Sequence, residues 1–120
     1  KSIAIGNPAD GYYVYGAVND SGGWGESATD PEIVDAIKLL ACTEGIWTEP
    51  AGGTTLAATI KLIQSGRIPK DESICVCITG NGLKTLEAMS GHVGETREIR
   101  PSLREFEALL DAETKLTAQV

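Results

Sequence analysis

Apolar and polar positions along the chain predict helices and strands in alternation. Residues 31–44 and 54–65 each carry apolar side chains at helical spacing, which predicts two amphipathic helices. The apolar run 74–78 contains no charged residue, which predicts an interior strand covered on both faces, as in a parallel sheet. Shorter runs at 2–6 and 46–49 predict two further strands. The apolar stripes consist of Ile33, Val34, Ile37, Leu40, Ala41 and Cys42 in the first helix, and of Leu56, Ile60 and Ile63 in the second.

The ends of both helices carry the residues that helix termini favour. Thr29 or Asp30 can cap the first helix, and Pro31 suits its first turn. Gly45 can end this helix in the left-handed conformation, and Gly66 closes the second helix. The boundaries of these helices are therefore predicted from local chemistry as well as from the apolar pattern.

Residues 90–120 are predicted to form a strand, a helix and a tail. The strand is expected at 97–99, after a short helix over 82–89. Ser102 and Glu105 form a capping-box pattern that opens the last helix, and the tail from residue 111 is polar and expected to fray. The side chains that this helix is expected to bury are Leu103, Phe106, Leu109 and Leu110.

The order of the elements predicts the fold class. Short strands alternate with helices, which is typical of an α/β fold with right-handed crossovers. We therefore predict three layers, a mostly parallel sheet with flanking helices, in a single unit over residues 1–120. The glycine-rich stretch 10–29 is expected to be irregular, with a short helical or extended piece at 12–18.

The composition of the chain argues against several classes of function. A net charge of −7 argues against a nucleic-acid or anionic membrane surface, and no apolar run approaches the roughly 18 residues of a membrane span. The three cysteines are expected to be buried thiols in a reducing cytoplasm, and His92 a solvated loop residue, so no metal site is predicted. The chain begins with Lys1 rather than Met, which suggests a piece of a longer protein.

Three predicted strands end in residues suited to a ligand site. The strand at 74–78 runs into Thr79, Gly80 and Asn81; the other two end at Glu49 and at Gly6. Neither a Walker A loop nor a dinucleotide-binding glycine motif fits the spacing after Thr79. Ligands of open α/β sheets bind at the carboxyl ends of strands, so a ligand site and a plain structural turn both remain open.

Three stretches together resemble the C-terminal part of the threonine synthase family. They are "SIAIGNPADG", "EGIWTEPAGGTTLA" and "KLIQSGRIPKDESICVCITGNGLK", which occur in that family's order and spacing. The resemblance covers residues 1–89, and residues 90–120 carry little of the family's pattern. It implies a pyridoxal 5'-phosphate (PLP) enzyme of fold type II, and it implies that this chain is part of the cofactor-binding domain.

The resemblance also implies roles for the residues at the strand ends. The Thr79 hydroxyl matches the group that hydrogen-bonds the pyridine nitrogen, and Glu49 matches a carboxylate near the ring edge. Gly6 matches the residue that lies flat against the ring, while Gly80 lets the backbone pass close to it. The cofactor-binding residues implied are thus Gly6, Glu49, Thr79, Gly80 and Asn81.

The implied reaction belongs to a longer protein. A threonine synthase converts O-phospho-L-homoserine and water to L-threonine and phosphate with PLP. The family's Schiff-base lysine lies upstream of the stretches matched here, so no catalytic residue is assigned and the chain alone is expected to be inactive. The expected partners are an amino-acid substrate, the N-terminal part of the same enzyme and a second copy in a homodimer. The alternatives are a dehydratase, a cysteate synthase, or a non-catalytic α/β ligand-binding module.

Overall fold

The computed structural model describes residues 3–94 and 96–117, with side chains through residue 112. Its regular elements within this part of the chain are helices. They are α1 (Gly11–Asp20), α2 (Asp30–Glu44), α3 (Pro50–Gln64), a 3-10 helix (Gly82–Met89) and α4 (Leu103–Thr117). Within the same residues, no helix is long and apolar enough to cross a membrane.

The first predicted helix is confirmed as α2, with Thr29 as its cap. The Glu32 carboxylate accepts hydrogen bonds from the Thr29 backbone N–H at 2.6 Å and from its hydroxyl at 2.9 Å. At the other end Gly45 has a φ of +68°, which an L side chain rarely adopts, and its N–H donates to the Ala41 carbonyl. Local chemistry therefore fixes both ends of this helix.

The core lies between α2 and α3. Ile33, Ile37 and Leu40 of the predicted stripe are buried, and Ile37 is completely inaccessible to solvent. They pack against small residues of α3: a Cβ built at Gly53 would lie 2.7 Å from Ile37 Cγ1 and 2.8 Å from the Ile33 carbonyl oxygen. The absence of a side chain at Gly53 thus lets the two helices approach closely.

The prediction for the second helix is wrong about its start and its buried face. The helix begins at Pro50, four residues before the predicted start, because Pro50 and the glycines after it form the first turn. Its buried residues are Pro50, Gly52, Gly53 and Ala57, whereas Leu56, Ile60 and Ile63 are only half-buried. The helix packs closely against α2 through the face that carries small residues, so that face is buried rather than the face with the large apolar residues.

The predicted sheet is not confirmed, because the described residues pair only at one antiparallel bridge, between Thr48 and Asn81. Residues 73–79 make no hydrogen bond within the described part of the chain. The predicted interior strand 74–78 is therefore not confirmed in this chain: Ile74, Cys75 and Cys77 are exposed, and Val76 and Ile78 are half-buried. A strand needs a neighbouring strand for its backbone groups, and no described segment supplies one.

The other predicted strands are also not confirmed in the part of the chain that the structure describes. Residues 3–6 and 97–99 form no strand, and residue 2 lies outside the described residues. Residues 46–49 take part only in the single bridge at Thr48. Within the described residues, none of these runs pairs with the segment at 73–79.

The prediction of buried cysteines is wrong as well, since Cys42, Cys75 and Cys77 are all exposed free thiols. Cys75 and Cys77 lie on the uncovered segment 73–79. Cys42 lies in the last turns of α2, beyond the stretch that packs on α3. Their exposure therefore follows from where the packing ends.

Two helices leave apolar side chains in solvent. The structure forms α1 where a helical or extended piece was expected, and it buries none of its residues. In α4, Leu103, Phe106 and Leu110 are exposed, contrary to prediction. The Glu105 carboxylate accepts from the Arg100 backbone N–H at 2.9 Å, which lies two residues before the Ser102 of the predicted capping box. The helix continues through the predicted tail to Thr117.

Candidate functional site

Two predicted site segments meet at a corner formed by residues 47–49 and 80–82. The Glu49 N–H donates to the Gly80 carbonyl at 3.2 Å, and the Gly82 N–H donates to the Trp47 carbonyl at 3.0 Å. The hydroxyl of Thr48, which is buried, donates to the same Gly80 carbonyl at 3.0 Å. These bonds join segments more than thirty positions apart and hold them in one register.

Glu49 and Gly80 are in direct contact at this corner. A Cβ built at Gly80 would overlap the Glu49 carboxyl group, and it would lie 2.7 Å from Glu49 Cγ. Only a residue without a side chain therefore lets the Glu49 side chain lie where it does. The backbone at Gly80 is not in the left-handed region, so contact rather than conformation requires this glycine.

Asn81 and Gly82 turn the chain from the corner into the 3-10 helix. The Asn81 side-chain oxygen accepts from the Leu83 N–H at 2.9 Å, which caps the helix. Gly82 is buried, and a Cβ there would strike the Trp47 indole. Asn81 therefore has a structural role that its place in the sequence did not reveal.

Thr79 lies next to the corner with its side chain in solvent. The residue is exposed, and its hydroxyl makes no hydrogen bond within the described part of the chain. A hydroxyl that served only to close a turn would bond a nearby backbone group. Here the hydroxyl is available to a ligand at the end of an extended apolar segment.

Gly6 is not in contact with the corner. It is exposed, and no described atom beyond its chain neighbours lies within 4 Å of a Cβ built there. Its neighbours Ile3 and Ala4 line a different cavity, of about 570 Å³, beside α2 and Pro50. The structure thus brings Glu49, Thr79, Gly80 and Asn81 to one place and leaves Gly6 outside it.

Thr48 and Trp47 are the corner residues that the sequence reasoning missed. Thr48 holds Gly80 through its hydroxyl, and it also touches the small face of α3, since a Cβ at Gly52 would overlap its side chain. The sequence offers one signal for this contact: two adjacent glycines follow Pro50, and two more glycines flank Asn81. Neither stretch by itself shows that they meet.

Among the described residues, the carboxyl group whose pKa is shifted lies away from the corner. The hydrogen bonds from Thr29, followed by the bond from Lys61, lower the pKa of Glu32 below its ordinary value of 4.5. Lys61 also donates to the Ser27 carbonyl at 2.9 Å, so this network fastens the start of α2 to α3. Within the described residues no group of three or more His, Cys, Asp or Glu side chains is arranged to hold a metal ion.

Comparison with known proteins gives the family. The family described as pyridoxal-phosphate dependent enzyme matches residues 1–80. The threonine synthase of Methanocaldococcus jannaschii is 46% identical over 87 residues, which are 72% of this chain and 22% of the relative. The threonine synthase of Bacillus sp. (strain ULM1) is 45% identical over 83 residues, 69% of this chain and 24% of the relative.

More distant relatives carry the same description. The threonine synthase of Synechocystis sp. is 37% identical over 83 residues, 69% of this chain and 21% of the relative. The chain thus spans about a quarter or less of the length of these relatives, and its similarity to threonine synthases extends across the corner. The chain belongs to the family of pyridoxal-phosphate dependent enzymes.

Proposed function

We propose that this chain is the C-terminal part of a threonine synthase and forms one wall of its PLP site. The enzyme would convert O-phospho-L-homoserine and water to L-threonine and phosphate. The observation that carries the proposal is the Thr79 hydroxyl, which is exposed and unbonded beside a rigid corner. The similarity to threonine synthases supports the choice of substrate.

Thr79, next to the corner, carries a group that suits a pyridine ring. An unbonded hydroxyl can donate a hydrogen bond to a ring nitrogen, and at neutral pH it stays uncharged, so it does not supply a formal charge to the ring. When bound, PLP delocalises the electron pair left at the α-carbon of an amino-acid substrate. Thr79 would thus orient the ring while leaving it a milder electron sink than a neighbouring carboxylate would.

The other predicted residues would position Thr79 and the ring edge. Glu49 lies against Gly80, and both are fixed by the hydrogen bonds to the Gly80 carbonyl. Asn81 holds the turn that follows, so the backbone at 80–82, directly after Thr79, is preorganised. Gly6 would join them only if the first residues of the chain lie across the ring in the longer enzyme.

In the longer enzyme we place residues 73–79 as a strand of a mostly parallel sheet. The segment is mostly apolar and makes no hydrogen bond in the described part of this chain. Strand neighbours from the remainder of the enzyme would satisfy its backbone groups and cover Ile74, Cys75 and Cys77. The sheet would then hold Thr79 at its carboxyl edge.

The test is the Thr79→Val substitution in the full-length enzyme. Valine keeps the shape and removes the hydroxyl, so we expect weaker PLP retention and a loss of turnover of roughly tenfold or more, for a lost hydrogen bond of about 1.4 kcal/mol. The thermal midpoint of the apoenzyme should change little, because Thr79 makes no hydrogen bond within the described residues. PLP absorbance, turnover and thermal melting measure the three effects.

Thr43→Val is the matched control. The exposed Thr43 hydroxyl donates to the Leu39 carbonyl at 2.9 Å within α2 and bonds no residue of the corner among the described residues, so its loss should leave turnover and PLP retention intact. A Thr79→Val enzyme that melts early yet turns over normally would remove Thr79 from the site. Release of phosphate from O-phosphohomoserine, set against deamination of serine and threonine, separates a threonine synthase from a dehydratase.

A further inference from the structure

The Thr48 side chain is enclosed between the start of α3 and the turn at 80–82. It is 1% exposed, and its hydroxyl donates to the Gly80 carbonyl at 3.0 Å. A Cβ built at Gly52 would overlap the Thr48 hydroxyl, and a Cβ built at Gly82 would lie 2.8 Å from the Thr48 carbonyl oxygen. The close approach of these three glycines fixes the position of the Thr48 side chain.

Gly80 is the residue through which Thr48 can act on Thr79. The contact with the Glu49 side chain requires a residue without a Cβ at position 80, and glycine has the least restricted backbone. The Gly80 carbonyl accepts two hydrogen bonds, from the Thr48 hydroxyl at 3.0 Å and from the Glu49 N–H at 3.2 Å. Because residues 73–79 make no hydrogen bond within the described part of the chain, these two bonds are the nearest anchor of Thr79.

On the basis of the function proposed above, we infer that Thr48 is a positioning residue of the PLP site. Its hydroxyl, acting through the Gly80 carbonyl, holds the Thr79 hydroxyl where it can meet the pyridine nitrogen. Thr48 itself is buried and therefore out of reach of a ligand, whereas Thr79 is exposed. Hydrogen bonds weaken steeply when donor and acceptor are misaligned, so the anchor of Thr79 matters for the bond that Thr79 makes.

Two substitutions separate the hydroxyl of Thr48 from its packing. Thr48→Val keeps the branched shape and removes the donor, and the Gly80 carbonyl keeps the bond from the Glu49 N–H, so no buried acceptor is left unpaired. Thr48→Ser keeps the donor and removes the methyl group that packs near Gly52. A packing role predicts the larger loss of PLP binding for serine, and a positioning role predicts it for valine.

The experiment is a titration of PLP into the full-length apoenzyme, followed by absorbance. We expect the dissociation constant for PLP to rise by about fivefold in Thr48→Val and about tenfold in Thr79→Val, for one lost hydrogen bond in each, and to stay unchanged in Thr48→Ser. Thr59→Val is the matched control, because the Thr59 hydroxyl also donates to a backbone carbonyl, that of Thr55 at 2.8 Å within α3, and bonds no corner residue among the described residues. It should bind PLP as the parent does. Thermal melting of each apoenzyme checks folding.

The double variant decides whether Thr48 acts through Thr79. If it does, Thr48→Val with Thr79→Val should bind PLP about tenfold more weakly than the parent, as Thr79→Val alone does, because the hydroxyl to be positioned is already gone. Independent roles would multiply to about fiftyfold and would overturn the inference. If Thr48→Val does not fold, Thr48→Cys repeats the cycle, since a thiol is a weaker donor.

Two further outcomes separate this inference from the proposed function. A Thr48→Val enzyme that binds PLP like the parent, while Thr79→Val binds it weakly, overturns the role of Thr48 and leaves the proposed function intact. A Thr79→Val enzyme that binds PLP like the parent overturns both.

Discussion

The α2–α3 pair and the extended segment 73–79 are both rich in apolar residues, yet only the first is buried. Ile37 of α2 is completely inaccessible, whereas Ile74 of the segment is 43% exposed. A helix satisfies its backbone hydrogen bonds within itself, so two helices need only matching faces to form a core. A strand leaves its backbone groups unpaired until another strand arrives.

The difference explains which part of this chain is stabilised by its own contacts. The α2–α3 pair carries its own caps, its own close contact at Gly53 and a cross-link from Lys61 to Glu32. Within the described residues, hydrogen bonds fix the segment 73–79 only beyond its far end, where Gly80 accepts from Thr48 and Glu49. The site residue Thr79 therefore stands between a rigid corner and an uncovered segment.

The sharpest test of this comparison is a pair of matched truncations. Ile37→Ala should lower the free energy of unfolding by about 2–5 kcal/mol, because it removes buried methyl groups and leaves a cavity between two fixed helices. Ile74→Ala should change it by no more than about 0.5 kcal/mol, because a side chain that is already exposed loses little on truncation. Urea unfolding followed by circular dichroism measures both values.

The outcome that contradicts the comparison is a comparable loss for the two variants. It would mean that residues 73–79 are covered in solution, either by other residues of the same chain or by a second copy. Repeating the Ile74→Ala measurement at several protein concentrations separates these cases, since only association makes the effect depend on concentration.

The helices were predicted from the sequence more accurately than the sheet and its layers were. The boundaries of α2 follow from Thr29, Glu32 and Gly45, which act over one turn and need no distant partner. The face that α3 buries does not follow from its own pattern, because the large residues look more hydrophobic than Gly53 and Ala57. Only the position of Ile37 on the other helix shows that small residues are needed there.

The meeting of Glu49 with residues 80–81 was predictable in part, from the polar and glycine residues expected to converge there. The two segments do meet, although neither follows a strand in the described residues, and their role in binding a cofactor stays a prediction. Thr48 escaped notice because its role depends on the carbonyl of Gly80, which lies 32 positions away. Gly6 was predicted as a third strand end and given its role by the resemblance, but no contact within the described residues holds it at the corner.

A second prediction concerns the closeness of the α2–α3 pair. Gly53→Ala should lower stability by roughly 1–3 kcal/mol, because its Cβ would press on Ile37 and on the Ile33 carbonyl, and a backbone oxygen in a helix yields little. Alanine also favours helix formation by about 1 kcal/mol over glycine, so the observed loss is what remains after this gain. Thermal and urea unfolding give the value.

Gly16→Ala supplies the matched control for this substitution. Gly16 lies inside α1, where a Cβ would meet nothing within 4 Å, so only the helix preference acts and stability should rise by up to about 1 kcal/mol. Opposite signs at the two glycines would confirm that contact decides the effect at Gly53. The same sign at both would show that α2 and α3 separate easily enough to accept a methyl group.

The smallest expected effect is the contribution of Glu32 to the pH dependence of folding stability. The Thr29 backbone N–H, then its hydroxyl, then Lys61 lower the pKa of this carboxyl in the folded chain. A carboxyl whose pKa is lower in the folded than in the unfolded state stabilises the fold while it is ionised. Its contribution is therefore fully present at neutral pH, and it is lost as the pH falls below the ordinary value of 4.5 and through the lowered pKa.

Glu32→Gln isolates this contribution. Glutamine keeps an acceptor for the Thr29 N–H but lacks the charge, so the variant should melt at a lower temperature than the parent chain at neutral pH, and the gap should close as the solution is acidified toward about pH 3. Glu72→Gln is the control, because the Glu72 carboxylate, next to the uncovered segment, makes no hydrogen bond within the described residues. Its melting temperature should follow that of the parent at every pH. A gap for Glu32→Gln that stays constant on acidification would show that the amide itself distorts the cap, and that the ionised carboxylate adds nothing to the α2–α3 pair.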